Sequence, residues 1–532
     1  MSSMETAARS PGGRERGAAS AAASRSNPGK RAVSPVEIQF TGRPLAQAEA
    51  LVLGVWEGGN PTAAARALGA DRWIGQALHH LPAFTGKSGN ALLLHPPRCD
   101  DSGTPLPAQV VLTGLGQFGA MDAETARRCG AEVGAVLMAN GITSAAIDLG
   151  LEPLMAAFFV LGLRLRCAPM PDYRRHEADG PEAPRPLRLI SVRVGDPRMA
   201  ETAWAQLRAA AEGVELARRL TAEPANILTP ARMIEKAQGL SKLRVSVEVL
   251  DAERLAAEGM NLHLAVGRGS AQPPALVVMR WRGAGDGSAP VLVVGKGLTF
   301  DSGGLCIKPA AGMEEMKGDM GGAATVLGLL HAVATAQTPV NVTGIMALAE
   351  NMTDGAAYRP GDVYTSHAGL TVEVIDTDAE GRMVLADALS WGCATENPKA
   401  VIDLATLTGS IVVALGHHHA GLFCTDDALA RGLIRSGQST DELLWRMPLS
   451  EALDEDLKSD CADLKQCASA GRLLPDALHA ARFLSHFVPD GTPWAHLDIA
   501  GVSERATATA HMPVGPTGFG VLTLFDWLTD QF

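Results

Sequence analysis

Residues 291–330 read VLVVGKGLTFDSGGLCIKPAAGMEEMKGDMGGAATVLGLL. The run opens as an apolar strand over 291–294 and closes as a small-residue helix over 321–336. Between them stand three lysines and two aspartates among many glycines. An apolar strand that leads into Gly-Lys-Gly and then Asp-Ser-Gly-Gly puts charge at the end of a sheet, where open α/β sheets bind ligands. Downstream, Asp376-Thr377-Asp378-Ala379-Glu380-Gly381-Arg382 adds carboxylates and an arginine. Together the two stretches imply a metal site suited to hydrolysis.

Working outward, the same strand–helix rhythm continues. Strands are expected over 245–250, 275–281, 340–349 and 399–404, and helices over 252–259, 382–394, 474–487 and 521–528. Strands this apolar argue for a mainly parallel sheet covered on both faces. Thr229-Pro230 has the pattern of a helix cap followed by proline at the first helical position. An alanine- and leucine-rich helix over 200–220 is expected to join this part to the one before it. There, apolar runs at 50–55, 91–94, 109–112, 145–149 and 187–194 alternate with helical patterns at 61–68, 72–81, 122–139 and 152–163, a second α/β layer structure. That part shows no dense set of metal ligands and no nucleophile–base pattern, so it reads as architectural. The expected organisation is two α/β domains: a smaller one over 34–197, a linking helix over 198–222 and a larger catalytic one over 223–532.

The bulk numbers bound the class. The chain has 532 residues, 46% of them hydrophobic and 20% charged, which fits a globular protein with a sizeable core. A formal net charge of -12 lacks the electrostatic footprint of a general nucleic-acid binder. The 8 cysteines form no C-x-x-C pair, so they read as reduced thiols of an intracellular protein rather than a disulfide framework. No apolar run is long enough to span a bilayer. Residues 1–33, rich in Ser, Ala, Gly and Arg, cannot bury enough surface to order themselves. They lack the apolar core of a secretory signal; a cytoplasmic protein is expected, with an organelle transit peptide as the alternative.

Asp301, Asp319, Asp378 and Glu380 are the candidate ligands. Brought together they would repel one another and raise their own pKa values unless cations sat among them. Two divalent ions resolve that conflict, and paired metals can generate hydroxide and polarise a carbonyl. Lys296 can join the ligands only if deprotonated, which burial beside a cation favours. Each acid alone has an ordinary reading as a cap or turn residue; Asp319, ahead of Met320-Gly321-Gly322, would be a helix N-cap. The conjunction carries the inference. His417-His418-His419 is set aside, because adjacent loop histidines cannot all face one ion. Cys306 has no base partner in sequence and reads as a packing residue.

GKGLTFDSGGLCIKP (295–309), KGDMGGAA (317–324) and DTDAEGRMVLADAL (376–389) closely resemble the leucyl aminopeptidase family of dinuclear metallopeptidases. TAEPANILTP, AVGRGS, ATLTGSIVVALG and WAHLDIAG extend the resemblance over most of the chain from about Leu220 onward. It implies that Lys296, Asp301, Asp319 and Glu380 hold one metal ion and Asp301, Asp378 and Glu380 the other, with zinc or manganese, or else magnesium or cobalt, as the ion. It implies Lys308 as the catalytic lysine that stabilises the oxyanion, and Arg382 as the holder of a bicarbonate ion acting as general base. Met316, Thr406, Leu407 and Gly409 match positions of the substrate pocket, as do Lys296, Asp301, Lys308, Asp319 and Asp378. The activity implied is release of the N-terminal residue, leucine or another apolar one, from short peptides by a homohexamer. Cysteinylglycine hydrolysis, or a DNA-binding or structural role of the hexamer, are the alternatives; the intact site and the acidic charge argue against the latter.

Two departures stand out. The acidic motif begins with Asp376 where the family usually has Asn, which adds a carboxylate beside the ligands. Residues 470–478, AGRLLPDAL, replace a small-residue Gly-Gly-Ser-like segment and are expected to reshape the pocket wall.

Overall fold

The computed structural model describes residues 36–43, 48–67, 71–96, 108–174, 185–468, 475–509 and 512–530. The expected tail over 1–33, with its transit-peptide alternative, lies outside them. Two sheets organise the described residues. In the N-terminal sheet the strands run in the order Glu37–Thr41, Leu189–Arg193, Ser144–Asp148, Ala50–Trp56, Val110–Gly114 and Ala91–Leu94. The first five are parallel to their neighbours and Ala91–Leu94 is antiparallel. Helices Ala123–Ala139 and Pro153–Cys167 pack on each other so tightly that a Cβ on Gly130 or Gly162 would come within 2 Å of a carbonyl oxygen of the facing helix.

The larger sheet has eight strands, in the order Leu444–Arg446, Ala420–Cys424, Trp494–Asp498, Ala400–Ala405, Val291–Asp301, Asn341–Asn351, Ala275–Arg282 and Ser246–Leu250. Its centre, from Trp494–Asp498 to Asn341–Asn351, is parallel; antiparallel pairings begin on either side. The fold is therefore α/β in two parts with a mainly parallel catalytic sheet, as the alternating pattern led one to expect.

The opening stretch needs one correction. The strand does not end at Val294 with a Gly-Lys-Gly loop; it continues as Val291–Asp301, so Lys296 is a strand residue and Asp301 ends the strand. The glycines serve packing instead of turning. A Cβ on Gly295 would stand 2.5 Å from Gly322, and one on Gly322 would stand 2.1 Å from the Leu404 carbonyl oxygen. Helix Gly321–Thr335 thus lies directly on the strands, with its N-terminus at their carboxyl ends.

Helix Pro197–Ala222 is capped by Asp196, whose side chain accepts the Met199 N–H, with Pro197 at the first position. It is packed on both sides. One hydrophobic cluster runs from Phe159 and Val160 through Leu207 and Val214 on this helix to Val326 and Leu404 beneath the larger sheet. Thr229 caps helix Pro230–Gln238 as its sequence predicts.

Candidate active site

The carboxyl ends of the parallel strands bring the expected residues together. Val291–Asp301 contributes Lys296 from its interior and Asp301 from its end. The loop after it carries Lys308. Asp319 follows the 3-10 turn Met313–Gly318, and Glu380 directly precedes helix Gly381–Glu396. Thr406 and Leu407 leave the end of Ala400–Ala405.

Carboxylate oxygens of Asp301, Asp378 and Glu380 lie within 4.8 Å of one another. Two ammonium groups thread the acids. Lys296 Nζ is 2.9 Å from Asp319 and 2.8 Å from Glu380, and donates to the Thr406 carbonyl oxygen at 3.1 Å. Lys308 Nζ is 2.9 Å from Asp301 and 2.5 Å from Asp378. Asp319 therefore does not cap helix Gly321–Thr335. Met320 holds the cap position without a side-chain bond, and the Asp319 carboxylate instead faces Lys296 and accepts the Thr406 hydroxyl at 2.7 Å.

The electrostatics follow from four acids against two cations in a buried place. Burial, then the Asp301 charge, pushes the Glu380 carboxyl up, and burial does the same to Asp319 and Asp378. Burial alone would lower Lys296, but the charges of Asp319, Glu380 and Asp301 outweigh it and hold the ammonium above its ordinary value. Negative charge remains in excess. Glu380 Oε2 is buried with no hydrogen-bond partner, while Asp319 Oδ2 and Asp378 Oδ1 are met by the ammonium groups of Lys296 and Lys308. An unpaired buried carboxylate oxygen costs several kcal/mol unless a cation meets it. These residues fit a divalent metal, whose charge would relieve that excess.

A layer of residues behind the acids fixes them. Asn351, at the end of its own strand, donates to Asp301 Oδ1 at 2.8 Å and to the Thr377 carbonyl at 3.0 Å. Thr377 joins the two loops: its hydroxyl donates to the Gly303 carbonyl and accepts the Cys306 N–H. Gly303 has φ +85, and a Cβ there would meet the Cys306 carbonyl at 2.6 Å, so the Asp-Ser-Gly-Gly turn requires glycine. Cys306 takes part only through its backbone N–H, in keeping with a packing role. Asp376 turns its carboxylate onto the Asp378 N–H at 2.9 Å, so the added acid shapes its own loop. Asp498 accepts the Leu407 N–H and the Thr408 hydroxyl, which sets the start of helix Gly409–Leu415.

Sequence reasoning missed Asn351, Thr377 and Asp498 as supports. The signal that found Asp301, a polar residue closing an apolar strand, also applies to Asn351 and Asp498. The pocket positions Met316, Thr406, Leu407 and Gly409 border the same end of the sheet. Met316 is half-buried, Gly409 is exposed, and a Cβ on Gly409 would meet nothing within 4 Å. Residues 469–474 of the divergent segment lie outside the described residues. His417 is occupied with the Gly501 carbonyl and His419 with Trp445.

Arg382 is almost fully buried, 2% exposed, in the first turn of its helix. Nη1 donates to the Gln466 carbonyl at 3.2 Å, and Nη2 to both oxygens of Asp476 at 2.8 and 3.0 Å. At the Nη2 edge a bicarbonate ion would meet the Asp476 negative charge, while Arg382 Nε is buried with no hydrogen-bond partner.

Comparison with known proteins agrees with this geometry. The model of the Cytosol aminopeptidase family, catalytic domain, matches residues 215–525, and that of the N-terminal domain matches residues 52–176. A relative from Gluconobacter oxydans (strain 621H), named "Probable cytosol aminopeptidase", is 44% identical over 451 residues, covering 84% of this chain and 88% of its own. One of the same name from Brucella ovis is 42% identical over 492 residues, covering 91% and 96%. Among solved structures, the bottromycin maturation enzyme BotP in complex with Mn superposes with TM-score 0.75 at 33% identity, covering 91% of this chain and 99% of that one. A tomato leucine aminopeptidase variant superposes with TM-score 0.80 at 30% identity, covering 95% and 98%. Sequence, fold and carboxylate site thus converge, and the chain belongs to the cytosol aminopeptidase family.

Proposed function

We propose that this protein is a metal-dependent aminopeptidase that releases an apolar N-terminal residue, leucine among them, from short peptides. Aminopeptidase function follows from the family, and the observation that carries the finer reading is the set of buried, under-satisfied carboxylates threaded by Lys296 and Lys308. Asp301, Asp319, Asp378 and Glu380, with Lys296, would hold two divalent ions, manganese or zinc. Bound there, such ions supply Lewis acidity and lower the pKa of water. Lys308, partly exposed beside Asp301 and Asp378, is placed to offset charge that develops on the scissile carbonyl oxygen. The acids also offer strong counter-charge for a peptide's free amino group at this end of the sheet, which favours removal of one residue at a time. The apolar preference is supported by Met316 and Leu407, which border the site. The family resemblance supports a homohexamer, and the names of the curated relatives support a cytoplasmic location. Among the described residues no helix is long and apolar enough to cross a membrane.

The test is release of leucine from a leucyl peptide by metal-stripped protein reloaded with manganese or zinc. Activity returns with metal in the wild type and is abolished in Asp378→Ala. It falls by about 10²–10³-fold in Lys308→Ala, the usual cost of removing one oxyanion-stabilising donor. No activity with any of these metals, across apolar, basic and cysteinyl leading residues, would overturn the reading.

A further inference from the structure

Asp476 lies in the stretch that departs most from the family pattern, and its carboxylate takes the Nη2 edge of Arg382. We propose that Asp476 is a built-in anion of the Arg382 site, taking the place of a bound bicarbonate and acting as the proton acceptor of the reaction. The inference rests on the aminopeptidase reading.

The partners are unequal in a way that suits the role. The Arg382 side chain is 3% exposed and that of Asp476 is 39% exposed, so a buried cation is presented outward through a carboxylate that solvent can reach. Asp476 is also held firmly. It is the first residue of helix Asp476–Ser485, preceded by Pro475, and the adjacent Ala477 N–H donates to Ser410 Oγ at 2.7 Å. An acid in the first helical turn is favoured by the helix dipole, and proline restricts the chain leading into it.

The same wall is fastened to the acidic loop. Gln466, whose carbonyl accepts from Arg382, donates through its side chain to the Asp376 carbonyl at 2.6 Å and accepts the Ile375 N–H. Arg382 itself is two residues from Glu380. The Arg382–Asp476 pair therefore keeps a fixed place relative to the carboxylate set. A carboxylate and a bicarbonate each offer an arginine one negative charge over a planar pair of oxygens. The carboxylate in the chain needs no binding step, so its effective concentration is set by the fold.

The proton balance closes. As the oxygen of the attacking water bonds to the scissile carbonyl carbon, one of its protons passes to the Asp476 carboxylate. As the C–N bond breaks, that proton passes to the departing nitrogen, and Asp476 returns to a carboxylate. One water and one peptide give one amino acid and one shortened peptide.

The experiment compares wild type, Asp476→Gly and Asp476→Asn as full-length protein. Turnover of a leucyl peptide is measured with metal, in buffer stripped of carbon dioxide and in buffer with added bicarbonate. Binding of ¹³C-bicarbonate is followed separately by NMR on metal-free protein. Wild type should turn over equally in both buffers and bind no bicarbonate. Asp476→Gly should lose about 10²–10⁴-fold in the stripped buffer, the usual worth of a general base, regain turnover with bicarbonate and bind the ion. Asp476→Asn keeps a hydrogen-bond acceptor on Arg382 and cannot take the proton at neutral pH, so it should be slow in the stripped buffer while melting like wild type. That variant decides the matter if the glycine variant fails to fold. A wild-type rate that rises with bicarbonate, bicarbonate binding by wild type, or wild-type turnover by Asp476→Asn in the stripped buffer would overturn the proposal. If wild type cleaves no peptide with any metal, the aminopeptidase reading has failed, and the NMR measurement still decides whether Asp476 excludes bicarbonate from Arg382.

Discussion

Lys296 is enclosed on every side that matters. Its ammonium meets Asp319, Glu380 and the Thr406 carbonyl, and its side chain is 3% exposed. The remaining wall is Gly381, where an added Cβ would stand 2.6–2.7 Å from the last two carbons and the nitrogen of Lys296. Gly381 opens a helix, so propensity alone favours Ala there by up to about 1 kcal/mol. Packing and propensity thus pull in opposite directions, and the substitution separates site geometry from stability. Gly381→Ala is expected to melt within a few degrees of wild type and to bind manganese about 10–100-fold more weakly, the range for disturbed support of a metal ligand. Titration calorimetry on the metal-free protein checks this; unchanged affinity would mean that the lysine can yield without cost.

Between elements, backbone meets backbone closely where Pro197–Ala222 crosses Gly321–Thr335. A Cβ on Gly213 would come 2.4 Å from the Gly328 carbonyl oxygen, and one on Gly328 would come 2.5 Å from that of Gly213. Both contacts are to backbone, so neither can be relieved by turning a side chain. Gly213→Val is expected to cost at least about 1–3 kcal/mol through overpacking, seen as a lower denaturant midpoint; an unshifted midpoint would show that the helices can separate freely. The regular helices of this layer were legible in the sequence because their apolar spacing is strong, and the four acids with Lys296 were legible because they sit in unusual glycine-rich runs. Strand Trp494–Asp498 was not read as a strand, since it is short and His496 interrupts its apolar pattern before Asp498 ends it. They are buried there because His496 pairs with Asp403 at 2.6 Å and Asp498 accepts the Thr408 hydroxyl at 2.6 Å. The extension of the central strand past Val294 was hidden for the opposite reason: its glycines look like turn residues until helix Gly321–Thr335 is laid against them. The hold of Asp476 on Arg382 spans 94 residues of sequence, and no local pattern announces a contact of that range.

At the scale of the molecule, the long helix ties the two sheets through buried arginines as well as through the shared core. Arg164, on helix Pro153–Cys167, pairs with Glu215 at 2.7 Å. One turn on, Arg218 donates to the Leu165 carbonyl at 2.7 Å and to the Pro516 carbonyl at 2.9 Å, so a single side chain on the long helix joins the N-terminal half to the last segment of the chain. Burial lowers the Arg218 guanidinium to about 10, with the Glu215 charge opposing, so it stays charged at neutral pH. Arg218→Met would keep most of the volume and leave both carbonyls buried without that donor. Each orphaned acceptor costs about 1–3 kcal/mol, which places the loss for the two near 2–6 kcal/mol, large for one substitution. Arg218 makes none of the contacts that define the carboxylate site, so manganese affinity at a temperature where the variant remains folded should match wild type. A lowered denaturant midpoint with unchanged metal affinity would establish Arg218 as a tie between the halves. An unchanged midpoint would show that the apolar cluster alone joins them, and weakened metal binding would mean that the packing of the long helix on Gly321–Thr335 carries strain to the site.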